Sequence, residues 1–438
     1  MDDWSLCTIG DMAKLKSGFA FKSSQWRDQG IPVVKIGNVK QGSLDLARCS
    51  YVSVDDARAS GFELSQGDIL IGLTGYVGQV AKVRNEGRLV LNQRVGKFFP
   101  KEGCSKEFLF FLVGNDAFRS RVEALAHGSA QPNVSPTAIE RLKVVVPSLP
   151  EQEAIAEVLV ALDDKIELNR RMNETLEMMA QAIFRDWFVD FGPVRRKAAC
   201  EVDPVAIMGG LTADPTHAAE IADHFPATFG ADGLPAGWIE EPLLDQAHWI
   251  NGAAYKNMHF VPKGVGLPVV KIAELKTGIS DQTKFTNTDL GQKYRIKEGE
   301  LLFSWSGNPD TSIDAFIWTG GEAWLNQHIF AVRENGKMDL PALHTMLKWL
   351  MPQFAELARN KQTTGLGHVT KDDMKRLLIA KPPQPVAAAF STFIGPIFER
   401  IVATLYENRT LAETRSYLLP RLMSGAVRVN PSPFTVEG

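Results

Sequence analysis

The sequence predicts an α+β protein in which two related mixed α/β domains are each followed by a long helix. The two helices are expected to pair as an antiparallel coiled coil with pseudo-twofold symmetry. Three observations predict this: an internal repeat, a heptad-like seam after each repeat, and a Pro-, Gly-, Ala- and Asp-rich segment between them. The repeat comes first, because overlooking one misassigns a whole fold. Pro32-Val33-Val34-Lys35-Ile36 returns unchanged as Pro268-Val269-Val270-Lys271-Ile272. Gly67-Asp68-Ile69-Leu70-Ile71 returns as Gly299-Glu300-Leu301-Leu302-Phe303, and Leu91-Asn92-Gln93-Arg94-Val95 as Leu325-Asn326-Gln327-His328-Ile329. Trp4 and Trp238 stand at matching starts, and Asn133-Val134-Ser135 near the end of the first unit matches His368-Val369-Thr370.

Each unit opens with short β-rich runs such as VVKI, GDILIGL and RLVLNQRVGKFF, punctuated by Gly, Asn and Asp. A helix is expected next, over Lys106 to Leu125 in the first unit and Leu340 to Ala358 in the second. A proline-flanked strand then closes each globular part. The long helices follow, with apolar residues at alternating steps of four and three. The first seam runs Ile155, Leu159, Leu162, Ile166, Asn169, Asn173, Leu176, Ala180, Ile183, Trp187; the second runs Phe390, Ile394, Ile397, Ile401, Thr404, Asn408, Leu411, Arg415, Leu418, Leu422. That spacing marks helices that wrap a partner, and an Asn within an apolar seam fixes register at a cost in stability. The alternative is a pair of ordinary amphipathic helices lying on their own domains. The segment between the units reads as an extended connector with one short helix around His217 to His224. The expected organisation is thus a domain over 1–149, a helix over 150–189, a connector over 190–236, a second domain over 237–384, a second helix over 385–425 and a tail over 426–438.

The chain has 438 residues, 45% hydrophobic and 23% charged, which suits packed domains rather than a disordered polymer. Its four cysteines lie far apart with no CxxC pair, which argues against structural zinc or a disulfide framework. The acidic start and the lack of a long unbroken apolar run lead to the expectation of a cytoplasmic protein without a membrane partner. Net charge is −3, yet residues 1–150 carry 19 basic against 15 acidic side chains, while 151–190 carry 4 against 10. A mildly basic domain beside an acidic helix permits a DNA-facing surface next to a protein-facing one.

Two domains held by paired helices suit a protein that reads two short DNA sequences about one helical turn apart, because spacing then becomes part of specificity. A helix of roughly 35 residues spans about 50 Å. A duplicated enzyme would instead show duplicated catalytic residues. No GxxxxGK[ST] phosphate loop, GxSxG elbow or HExxH helix occurs, and Asn308-Pro309-Asp310 lacks the second proline and aromatic ring of an adenine methyltransferase motif. No catalytic residue, metal site or bound cofactor is therefore expected in this chain.

Candidate DNA contacts lie in matching loops. The run Gly72 to Gly78, with Thr74 and Tyr76, looks like a hairpin loop rather than a dinucleotide site, since the strand-like QVAKV follows it. Its counterpart holds Trp305 and Ser306. Either loop is a plain turn or a backbone approach to phosphate. In Asn92-Gln93-Arg94 and Asn326-Gln327-His328, amides and Arg suit base edges. The Asn-Gln part equally suits capping of strand ends, because a base reader should differ between units. By the same logic Lys35 and Lys271 are phosphate contacts or structural lysines. Loops that differ between units are better candidates for readout: one carries Phe21-Lys22 against Tyr255-Lys256, another Gln131 and Asn133 against Thr364 and His368. Ordinary solvated loops are the alternative.

The order SGFAF, VVKIGNV, GDILIGLTGYVGQVAKV, LNQRVGKFFP and LPEQEAIAEVLVALDDKIELNRRMNETLEMMAQAIFRDWFVDF resembles the specificity subunits of type I restriction–modification systems. The LPEQEAIAEVL helix start, Asn169-Arg170 and the closing YLLPRLMSGAVRV are the most specific parts, and the resemblance covers nearly the whole chain. It implies two target recognition domains reading a bipartite DNA site. It also implies two modification subunits that methylate adenine with S-adenosylmethionine, and restriction subunits that use ATP and magnesium to translocate and cut DNA. The second helix departs from the pattern, beginning PPQPVAAAF rather than LPEQ. Two other classes stay open: the recognition half of a single-component restriction enzyme, and a coiled-coil adaptor that binds proteins only.

Overall fold

The computed structural model describes residues 4–84, 87–126, 132–362 and 366–429. They form two compact units, Met1–Ile166 with Leu411–Gly438 and Glu167–Thr410, so each unit takes one end of each long helix.

The first unit contains a four-stranded antiparallel sheet in the order Ala13–Ser17, Val95–Pro100, Ile69–Gly72, Val80–Lys82. A second sheet runs Ser50–Val52, Ile31–Val34, Leu89–Leu91, Glu63–Leu64, with Ile31–Val34 and Leu89–Leu91 parallel. The second unit repeats both. Ala247–Asn251, Ile329–Glu334, Leu301–Ser304 and Asp314–Ile317 form the antiparallel sheet, and Leu267–Val270 pairs in parallel with Ala323–Leu325 in the other. The repeated Val-Val pair explains its own recurrence: Val33, Val34, Val269 and Val270 are all fully buried centre-strand residues. In each unit the first strand returns to pair antiparallel with the last, Ser5–Thr8 with Lys143–Val146 and Ile239–Pro242 with Leu378–Lys381.

The long helices run Leu149–Phe188 and Gln384–Met423. Their contacts fix an antiparallel pairing. In the second unit Asn169 Nδ2 donates to Asn408 Oδ1 at 3.0 Å and to Glu407 Oε2 at 2.8 Å, while Asn173 Nδ2 reaches the Ile401 carbonyl. In the first unit Arg415 pairs with Asp163. Numbers thus fall on one helix as they rise on the other. Ile155, Asn169, Ile183, Ile394, Ile401 and Leu422 are buried, and Leu162, Ile166, Leu176, Asn408, Leu411 and Leu418 half-buried, so the seam is the packed face. By length and composition the second helix would also suit a bilayer. Its apolar stripe is instead spent within the second unit, where Phe390, Ile394 and Phe398 join the main core.

Two expectations change. The helix expected over Lys106 to Leu125 is two, Lys106–Gly114 and Asp116–Ala124, because the Asn115 side chain caps the second by accepting from the Phe118 N–H. The connector is not extended: helices Gly192–Ala198, Pro204–Ile207 and Pro215–Ala222 fold its apolar residues Val194, Met208, Ala218 and Ile221 into the core of the second unit. The LPEQ start also has a structural use. Buried Glu151 accepts from Arg428 at 2.5 and 2.8 Å and from the Trp4 indole, while Gln152 accepts from the Ser105 N–H. These bonds bind the tail and the first strand to the helix start. In the second unit, buried Val386 occupies the corresponding stretch, and apolar packing does that work.

Candidate nucleic-acid interface

The candidate loops are far apart in sequence, yet backbone hydrogen bonds gather them at one end of the sheets. In the first unit the Asn92-Gln93-Arg94 turn is the hub. The Gln93 N–H donates to the Phe19 carbonyl, the Phe19 N–H to Leu91, the Gly18 N–H to Val95 and the Leu73 N–H to Arg94, all at 2.9–3.0 Å. Leu73 in turn accepts from the Val134 N–H, Gly75 donates to Pro132, and the Thr74 hydroxyl donates to Asn133 Oδ1 at 2.8 Å. Three loops therefore close around the turn.

The second unit builds the same cluster from different side chains. Gln327 N–H donates to Ala253, Ala253 to Leu325, Gly252 to Ile329, Trp305 to His328 and Val369 to Trp305. The bridge between Thr74 and Asn133 becomes a short ladder, Ser306–Gly307 with Gly367–His368. A glycine is required where the first loop crosses the turn. A Cβ on Gly18 would lie 2.5 Å from the Leu91 carbonyl oxygen, and one on Gly252 would strike Leu325 and Asn326.

Side chains at the hub divide by role. Asn92 Oδ1 accepts from the Arg94 N–H at 3.3 Å, so it shapes the turn, and Asn326 is buried. Gln93, Arg94, Gln327 and His328 are exposed beside them. Gln327 Nε2 lies 3.3 Å from His328 Nε2. Tyr76 is 59% exposed at the tip of the glycine loop, and Lys40 Nζ sits 5.9 Å from its ring. That loop is a hairpin between the strands Ile69–Gly72 and Val80–Lys82. Thr74, Ser306 and His368 are half-buried and Asn133 exposed. Gln131 and Thr364 lie outside the described residues.

The aromatic-lysine loops sit beside the parallel strands. Lys22 and Lys256 are exposed; their N–H groups donate to Gln25 Oε1 and His259 Nδ1 in matching turns. Phe21 packs half-buried against Phe19 and Trp26. Tyr255 is only 8% exposed, beside Trp324, and burial pushes its hydroxyl up to about 12. Lys35 and Lys271 are half-buried. Lys35 Nζ stands 3.9 Å over the Trp26 ring and donates to Ser50 Oγ at 2.7 Å, and Lys271 Nζ is 5.3 Å from Phe260. Burial lowers the Lys35 ammonium below its ordinary value. Of the two readings of the repeated lysine, this geometry suits the structural one.

Sequence reasoning missed one contact. The Trp305 indole N–H donates to Asn251 Oδ1 at 2.9 Å, and its ring lies 5.7 Å from that of His328. The available signal was that Trp305 stands where the first unit has buried Leu73. Among the described residues no group of three or more His, Cys, Asp or Glu side chains converges to hold a metal.

Residues 1–178 match the family model described as type I restriction modification DNA specificity domain. The chain is 23% identical to the type I restriction enzyme MjaIX specificity subunit of Methanocaldococcus jannaschii, across 98% of this chain and 94% of that one. It is 24% identical to the HindI specificity subunit of Haemophilus influenzae, across 98% and 100%. The crystal structure of a type I restriction–modification S subunit from M. genitalium superposes with a TM-score of 0.51 at 14% identity over 96% of each chain, a likeness of fold.

Proposed function

Because this chain belongs to the family of type I restriction–modification DNA specificity subunits, we propose that it selects a bipartite DNA sequence for partner subunits that methylate adenine and cleave DNA. Each unit reads one half-site, and the chain itself catalyses nothing. The observation that carries this reading is the convergence, in both units, of loops distant in sequence around an exposed Gln-Arg or Gln-His pair. Arg suits guanine O6 and N7, and Gln suits adenine. Lys22, Lys256 and Lys40 supply positive charge beside the hub for phosphates, which fix register without reading sequence.

The paired helices carry the second half of the proposal. Leu168, Met178 and Met179 on the first helix and Tyr417 on the second are large apolar residues left exposed. Exposed apolar side chains on charged helices suit docking of two modification subunits, and the restriction subunits join that complex. S-adenosylmethionine, ATP and magnesium belong to those partners, and the assembly acts on cytoplasmic DNA.

The test is selection from a random duplex library by the purified chain with its modification subunit. One motif with two defined halves and a fixed spacer is expected, with binding that weakens steeply as salt rises. Equal retention of selected and scrambled duplexes contradicts the proposal.

A further inference from the structure

The Trp305–Asn251 contact has consequences for what the second unit can read. An indole N–H only donates, so the Asn251 carboxamide must turn Oδ1 toward it. The orientation of this amide is therefore set by chemistry, not by preference. Asn251 is exposed, and no described residue accepts from its Nδ2. Its outward group is thus an NH2 with two donors. Trp305 is itself held on both sides: its N–H donates to the His328 carbonyl, its carbonyl accepts from Val369, and its ring lies against Phe330 at 5.9 Å. The indole is a fixed post between the hub turn and the Val369 side of the cluster. The first unit has no such device, with Ser17 in place of Asn251 and Leu73 in place of Trp305.

We propose that Asn251 reads a base in the half-site of the second unit and that Trp305 is its positioning residue. The half-site should then favour guanine, whose O6 and N7 can take both donors of the amide, over thymine O4 and adenine N7, which take one, and over cytosine, which presents only an amino donor. This inference rests on the DNA-specificity reading above. It explains why the two units share a hub turn yet present different chemistry beside it, as an asymmetric target requires.

The experiment compares motifs selected from a duplex library by the full chain with its modification subunit. Trp305→Phe keeps a ring against His328 and Phe330 but removes the indole N–H, freeing the amide to turn over. Discrimination should fall roughly tenfold at one base position of one half-site, while the other half-site and spacer stay unchanged. Asn251→Asp, at an exposed position, offers acceptors alone and should reverse the preference there toward adenine or cytosine. Arg94→Ala should alter the opposite half-site, which assigns the two halves to the two units. If both substitutions in the second unit select the unaltered motif with undiminished discrimination, the pair is merely structural and the inference is overturned. A wild-type chain that selects no motif overturns the DNA reading itself, an outcome visible before any variant is tested.

Discussion

Gly18 and Gly252 show how one residue decides the recognition end of each unit. Neither has an unusual φ; each is small because the loop crosses the hub turn at backbone distance. Gly18→Ala should destabilise the first unit by about 1–3 kcal/mol, as forced overpacking does, measured by urea unfolding. A wild-type midpoint would show that the crossing is not tight. Arg94→Ala removes an exposed guanidinium at the same hub and should cost about 1–3 kcal/mol of specific binding without changing the unfolding midpoint. Loss that is uniform over all sequences would make Arg94 a phosphate contact instead. At this scale the sequence was legible in part. Recurrence offered a structural alternative for Asn92 and Lys35, and the turn that Asn92 shapes and the ring under Lys35 suit that alternative. The Leu73-to-Trp305 difference marked the residue but not its partner, because the Trp305–Asn251 bond joins loops 54 residues apart, and no periodicity encodes that.

Elements with strong periodicity were the most legible. Both long helices follow their seams, because a four-three spacing over forty residues has few other packings. Of the connector helices, Pro215–Ala222 lies where one short helix was expected, while Gly192–Ala198 and Pro204–Ile207 were missed, although Asp203 caps the helix that begins at Pro204. Composition rich in Pro and Gly masked them. Within the seam Asn169 is fully buried and its Oδ1 finds no partner. Asn169→Leu with Asn408→Leu should therefore raise the thermal midpoint while loosening register. A lower midpoint would show that the amide layer is a net stabiliser. A second element-scale effect concerns acid. His344, on the helix Leu340–Asn360, is wholly buried, with Nε2 3.9 Å from Glu177 and Lys348 close by. Burial holds its imidazole down to about 3, against an ordinary value near 6.5. The unfolded chain therefore takes up this proton first, and the His344 contribution to stability is lost as pH falls below about 6.5, at up to about 1.4 kcal/mol per pH unit. Burial raises the Glu177 carboxyl, which acts in the opposite sense. His344→Leu isolates the imidazole: its stability relative to wild type should improve between pH 7 and pH 5. Parallel pH profiles would contradict this.

Across the whole molecule the repeat is the organising fact. Its motifs map onto the parallel strand pair, the antiparallel sheet and the hub turn of each unit, so an offset read from the letters corresponds to a duplicated topology. Departures between the copies fall where the work differs: Glu151 and Gln152 tie down the first helix start, and Val386 packs the second. On the proposed function, two related readers joined by helices of defined length convert two short readings of DNA into one selective reading. The most direct test inserts one heptad into each long helix, opposite one another so that the seams stay paired, and determines the selected motif. Unchanged half-sites with an altered spacer, or loss of selective binding at the original site, are expected. Selection of the original motif at the original spacing, with wild-type affinity, would contradict it.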